Sequence, residues 1–277
     1  MTLCNTDEFL QNLKNHDSES FELLYAAYGS RIYNLAYRLT GNQSAAEDIT
    51  QETFLQIYSK IGTFRAASQL YTWIYAITKN LCYQFFKQAK KSSFLSLEAL
   101  MDAALETEPT AATKTLETME REKLIRQVKE GCLTGLLRCL SFYQRAAFVL
   151  HILLHLPIWD VAEILGKSEG AVKVLIHRAK RNLKTFLCKN CSLYNPDNRC
   201  HCENLVDFSL RQGWLQPPPT ADGKPITSQQ IEAEIKAVRE VTELYSQLTD
   251  SPPTYKVHHR LQEWIHGQRG IIFTDPV

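Results

Sequence analysis

The stretch IWDVAEILGKSEGAVKVLIHRAKRNLK, Ile158 to Lys184, constrains this chain more than any other. Val161 and Leu165 lie one helical turn apart, and Val172 and Leu175 resume helical spacing in the segment that follows. Gly166 stands between them, four residues after the small Ala162. A tight turn between two helices needs a left-handed residue, which glycine supplies cheaply, and Ala162 lets the helices approach. Ser168 can cap the second helix. Together these residues spell a helix-turn-helix. The second helix is basic, with Lys167, Lys173, Arg178, Lys180, Arg181 and Lys184 against the single acid Glu169. Such a helix can enter a DNA major groove, its first residues at base edges and its later bases near phosphates. The lesser alternative is a solvated basic face on a helical hairpin, which the turn pattern disfavours.

The rest of the chain is helical by the same test. Phe21, Leu24, Tyr25 and Tyr28 share one face, and Ile32, Leu35, Ala36 and Leu39 share another. TGNQSAAED supplies a turn, with Ser44 as N-cap of a helix carrying Ile49, Phe54, Leu55 and Tyr58. IGTFRAASQ interrupts, and LYTWIYAITKNLCYQFFKQAKK resumes a helix rich in aromatics. Alternation with period two is scarce, so no sheet is expected before residue 186. Residues 96–122 hold seven acids, two bases and a proline, the composition of a solvated linker. After the basic helix come four cysteines, then the linker QPPPTADGKP, then a tail with one apolar stripe: Ile231, Ile235, Val238, Val241, Leu244, Tyr245 and Leu248. The expected fold class is all-α. Two small helical domains, 1–95 and 123–187, are joined by a flexible acidic linker (96–122). The second domain is the helix-turn-helix; a Cys-rich, metal-knuckle-like module (188–216) and a helical tail (217–277) follow.

A length of 277 residues suits two or three small cores. The formal net charge is only +1, so function must lie in local charge asymmetry. The N-terminus is polar and acidic, without the basic and apolar regions of a secretory signal. The most apolar window, Ala146 to Trp159, is too short to span a bilayer. A cytoplasmic protein without membrane insertion is expected. No Ser/His/acid set, Gly-rich phosphate loop or carboxylate pair points to catalysis, so it is not read as an enzyme.

Two further helical faces carry chemistry. Asp48, Gln51, Glu52 and Leu55 fall on one face, where polar groups around a leucine suit a protein-binding surface or a merely solvated one. Tyr71, Trp73, Tyr75, Tyr83, Phe85 and Phe86 interleave with Lys79, Lys87, Lys90 and Lys91. Aromatics mixed with bases can stack unpaired nucleotides and hold their phosphates, although some of these rings must fill a core.

With those residues in view, the segment FELLYAAYGSRIYNLAYRLTGNQSAAEDITQETFLQIYSKIGTFRAASQLYTWIYAITKN resembles the promoter-melting domain of bacterial RNA polymerase sigma factors, most closely the small extracytoplasmic function (ECF) group. LLRCLSFYQRAAFVLHILLHLPIWDVAEILGKSEGAVKVLIHRAKRNL resembles their C-terminal promoter-reading domain. The likeness spans about residues 17–92 and 120–187. It implies that Asp48, Gln51 and Glu52, with Leu55 beside them, dock on the clamp coiled coil of core RNA polymerase. It implies that Arg65, Ser68, Gln69, Tyr71 and Trp73 trap a flipped base of the −10 element, with Lys79 and Asn80 near the opened strand. Promoter −35 DNA would be read by Ser168, Glu169, Ala171, Lys173, Val174, His177 and Arg178, with Arg181 following on the same helix. An anti-sigma factor is a further partner of such a protein. The chain departs from the family pattern in LSFYQR, where LP commonly precedes Gln-Arg. It also departs at Ala171, where the pattern has Thr, and at Val174 and Leu175, where Ser and Arg are usual. A less polar groove-facing surface follows.

The last motif is CKNCSLYNPDNRCHC. Cys188, Cys191, Cys200 and Cys202 offer four thiolates within one loop, with a turn at Asn195-Pro-Asp-Asn. Zn suits that donor set, with His201 as a substitute ligand; a redox dithiol, an Fe–S cluster or unliganded thiols are the alternatives. Cys4, Cys82, Cys132 and Cys139 are scattered and read as small packing residues. The sequence therefore points to an ECF-type sigma factor, its C-terminal cysteines and tail serving either metal or redox regulation in cis or structure alone. The rival is a stand-alone helix-turn-helix regulator that binds duplex DNA without polymerase. That rival leaves the face from Asp48 to Leu55 unexplained.

Overall fold

A computed structural model describes residues 7–65, 68–88, 94–106, 118–215 and 245. Among them are ten α-helices and no strand. They are α1 (Asp7–Lys14), α2 (Ser18–Thr40), α3 (Gln43–Lys60), α4 (Leu70–Gln88), α5 (Phe94–Leu105), α6 (Thr118–Arg138), α7 (Phe142–Phe148), α8 (Ile158–Leu165), α9 (Glu169–Asn190) and α10 (Val206–Arg211). Two compact units divide the chain. One takes the described residues of 1–90 and 149–174, the other those of 91–148 and 175–248.

In the first unit, α2, α3 and α4 bury one face each around Leu24, Ile32, Phe54, Ile57 and Ile74, with Phe9 and Leu13 of α1 closing the end. The turns are built from side chains the backbone needs. Asp17 caps α2, accepting from the Ser20 N–H at 2.8 Å and the Ser20 hydroxyl at 2.7 Å; those bonds hold its carboxyl below its ordinary value. Gly41 ends α2 in the left-handed region, φ 64°, its N–H donating to the Tyr37 carbonyl. The cap of α3 is Asn42, not the expected Ser44: Asn42 Oδ1 accepts from the Ala45 N–H at 2.8 Å. The helix simply starts two residues earlier, because Gly41 stops α2 and leaves Asn42 extended.

A π-helical turn, Val149–Leu153, follows α7 directly and widens the chain into the turn before α8. His155 takes a left-handed φ of 53° there, and His151 Nδ1 sits 2.8 Å from the Leu156 carbonyl. From this turn onward α8 packs against α4, so the first helix of the helix-turn-helix belongs to the N-terminal unit.

The second unit gathers α5, α6, α7, the C-terminal part of α9, the cysteine loop and α10. The stretch expected to be a flexible linker is helical in its first half. Leu97, Leu100, Met101 and Ala104 recur at helical spacing, and α5 buries Met101 and Ala104. Where the family pattern has proline, Ser141 builds a capping box: its N–H donates to Gln144 Oε1 at 3.3 Å and the Gln144 N–H donates back to Ser141 Oγ at 3.4 Å. Buried Arg145 then donates to the Arg138 carbonyl at 2.8 Å and the Leu140 carbonyl at 3.3 Å, neutralising the end of α6. The tail stripe lies outside the described residues except for Tyr245. That residue is fully buried, donates to the Leu133 carbonyl at 3.0 Å and meets Phe148 edge-on at 5.1 Å.

Candidate nucleic-acid interface

The three-residue turn between α8 and α9, residues 166–168, sets the start of α9. Gly166 adopts φ 62°, and its N–H reaches the Ala162 and Glu163 carbonyls while the Lys167 N–H closes on Ala162 at 2.9 Å. Ser168 Oγ accepts from the Ala171 N–H at 3.3 Å, capping α9 as expected. Val172, Ile176, Ala179 and Leu183 are buried, which forces the intervening positions outward. Ser168, Glu169, Lys173, Val174, His177, Arg178 and Arg181 are exposed and Ala171 is half-buried. They form a continuous stripe along α9. Val174 is among the described residues' few exposed large apolar side chains, at 47%. An exposed valine among bases suits a thymine methyl better than water.

On α3, Asp48 and Glu52 are exposed while Gln51 and Leu55 are half-buried. Ile49, Thr50, Thr53, Phe54 and Ile57 take the opposite, core side. Glu52 accepts from Gln56 Nε2 at 2.9 Å, and Gln56 accepts from Lys60 Nζ at 2.9 Å, so the acidic face is held rigid by an i, i+4 ladder.

At the start of α4, Arg65 and Gln69 are exposed and Ser68 is half-buried; Ala66 and Ala67 lie outside the described residues. The Gln69 carbonyl anchors the helix by accepting from Thr72 Oγ1 at 2.7 Å. Tyr71 and Trp73 are half-buried. Trp73 leans on Phe64 with ring centroids 5.3 Å apart, so one face of the indole is spent on the core. The Tyr71 hydroxyl donates to Asp160 Oδ2 of α8 at 2.5 Å. Burial, and then that carboxylate, push Tyr71 up to about 12. Lys79 donates to Asn80 Oδ1 at 2.7 Å and is held below the usual lysine range, first by burial and then by the charge of Lys167. Lys87 lies over the Tyr83 ring at 4.7 Å. Sequence reasoning missed Asp160, which is buried through this bond, and Trp159, which is 65% exposed. Periodicity carried a hint of Trp159: with Val161, Ala162 and Leu165 inward, 159 and 163 must face out.

The cysteine loop separates its four thiols. Cys191 and Cys200 are buried and paired in an isolated parallel bridge, the Ser192 N–H donating to the Cys200 carbonyl at 3.1 Å. Asn198 Nδ2 ties the loop to the end of α9 through the carbonyls of Cys188 at 3.0 Å and Cys191 at 3.1 Å. Asn195 opens the expected turn, its Oδ1 accepting from Asp197. Cys202 is half-buried and starts a 3-10 turn against α6, whereas Cys188 is exposed. Burial raises the Cys191, Cys200 and Cys202 thiols, the last two to about 12. Among the described residues no group of three or more His, Cys, Asp or Glu is arranged to hold a metal ion. No described helix is long and apolar enough to cross a membrane.

Residues 24–92 match the family model described as Sigma-70 region 2, and residues 130–183 match that of Sigma-70, region 4. The chain is 29% identical over 181 residues to the ECF RNA polymerase sigma factor BldN of Streptomyces coelicolor, a match spanning 65% of each chain. It is 28% identical over 184 residues to the ECF RNA polymerase sigma factor SigW of Bacillus subtilis, covering 64% of this chain and 94% of that one. A solved structure of CnrH in complex with the cytosolic domain of CnrY aligns at a TM-score of 0.44 and 18% identity, over 65% of this chain and 95% of that chain.

Proposed function

Because the chain belongs to the ECF RNA polymerase sigma factors, we propose that it directs core polymerase to specific promoters and aids strand opening there, with no catalysis of its own. The observation that carries this reading is the pairing of a region 2 match with a region 4 match, each bearing an exposed face of the right chemistry. The anionic α3 face, Asp48 and Glu52 with Gln51 and Leu55, docks on core polymerase. The turn and start of α4, from Arg65 through Ser68, Gln69, Tyr71 and Trp73 to Lys79 and Asn80, hold the −10 strand. The α9 stripe reads −35 DNA. The protein works in the cytoplasm, where an anti-sigma factor is a further partner. Run-off transcription with core enzyme tests the reading. Promoter-specific transcripts are expected with core plus chain and none with either alone; tight operator binding by the chain without core association would favour a stand-alone regulator.

Beyond the family-matched residues, we infer that the cysteine module and the tail regulate the factor in cis; Zn would draw on the set Cys188, Cys191, Cys200 and Cys202, which the described structure does not bring together. Buried Tyr245, seated on Leu133 and Phe148, supports tail docking on the second unit. Chain truncated after residue 216 should show altered promoter output in the same run-off assay; unchanged output with and without zinc would remove the regulatory reading.

A further inference from the structure

We propose that the Tyr71–Asp160 hydrogen bond is an autoinhibitory latch: it seats α8 on the face of α4 assigned to the −10 strand, and the strand must displace α8 to reach that face. The inference rests on the promoter reading of α4 and α9.

The packing argues for a covered face. Tyr71 and Asp160 are 89 positions apart, yet α8 lies against α4 within one compact unit. Asp160 is only 4% exposed, and a buried carboxylate needs a donor, which the Tyr71 hydroxyl supplies. Eight residues along α4 from Tyr71, Lys79 feels the charge of Lys167, seven residues along from Asp160. The two segments therefore run side by side over about 10 Å. Tyr71 is half-buried, its hydroxyl on Asp160 and its ring edge-on to Tyr75 with centroids 6.3 Å apart. A base must compete with protein for that ring.

Promoter geometry makes the seat a temporary one. The −35 and −10 elements are named for positions about 25 base pairs apart, roughly 85 Å of duplex at about 3.4 Å per step. Ser168, which opens the α9 stripe, follows Asp160 by eight residues, at most about 28 Å of chain. With Tyr71 bonded to Asp160, the start of the stripe stays within about 40 Å of Tyr71. Both elements cannot be gripped from there until α8 leaves α4. The α9 stripe itself stays exposed, so the latch masks the −10 face alone. A place to open exists. The chain passes from one compact unit to the other where α7 gives way to the π-helical turn Val149–Leu153, and His155 just beyond takes φ 53°.

Fluorescence anisotropy of a labelled, mixed-sequence single strand of about 12 nucleotides, added to the full chain without core polymerase, tests the latch. Asp160→Ala removes the acceptor and should tighten binding about tenfold. Asp160→Asn removes the same charge but keeps an acceptor for the hydroxyl, and should bind like the parent chain. Equal affinity in parent and Asp160→Ala overturns the latch, as does Asp160→Asn binding as tightly as Asp160→Ala, which is a charge effect alone; either result leaves the promoter reading standing. Hydrogen exchange on the unmutated chain needs no variant to fold: excess strand should raise exchange across α8 and leave the C-terminal half of α9 unchanged. Strand binding that leaves α8 protected also overturns the latch. A strand bound by neither parent nor Asp160→Ala overturns it too, and absence of run-off transcripts with core enzyme would take the promoter reading with it.

Discussion

At φ +62°, Gly166 occupies backbone space that a side chain strains, yet nothing lies within 4 Å of where its Cβ would sit. Gly166→Ala should therefore cost about 1–2 kcal/mol from backbone strain alone, read as a lower melting temperature without loss of helix content. Tyr71 makes the opposite kind of prediction. The sequence offers its ring as a candidate stacking surface, but its partner Asp160 is 89 positions away and no spacing rule reaches that far. Tyr71→Phe keeps the ring and strips the buried carboxylate of its donor. It should destabilise the chain by about 1–3 kcal/mol in denaturant melts while leaving single-strand stacking intact.

Helical elements were the most readable level, because apolar spacing within one helix is a local property. The α9 stripe follows from four buried positions, and each exposed base on it is separately testable. Lys173→Ala and Arg178→Ala should each weaken −35 duplex binding and reduce the salt slope by about 1 if the side chain meets a phosphate, whereas a base-reading residue would relax sequence preference instead. Linker composition misled at α5, where acids occupy the outer face of a helix whose inner face carries Met101 and Ala104. Acidity says a surface is solvated; it does not say the backbone is unfolded. Glu98 bonds Lys189 at 3.1 Å and Asp102 bonds Arg199 at 3.0 Å, but both pairs are exposed enough that removing either should leave the melting temperature unchanged.

For the molecule as a whole, Tyr25, Tyr33 and Tyr71 are each raised from an ordinary value of 10.0 to about 12, burial being the first cause in every case. The folded chain thus keeps protons that the unfolded chain releases. Stability should be level below about pH 10 and fall as pH rises toward 12, with tyrosinate absorbance rising together with loss of helical circular dichroism. Reversing charge at Asp48 and Glu52 should abolish core association without changing melting, since both side chains are exposed; unaltered initiation would sink the docking assignment. By itself the sequence determined the helical class, the Gly166 turn, and which α9 and α3 side chains face outward, all of which follow from period and backbone geometry within a few residues. Only the tertiary structure decided that α8 packs with α4, that Asn42 rather than Ser44 caps α3 and that Tyr71 meets Asp160. Most of those pairings join residues far apart in the chain, and burial, which sets them, depends on every element that packs around the site at once.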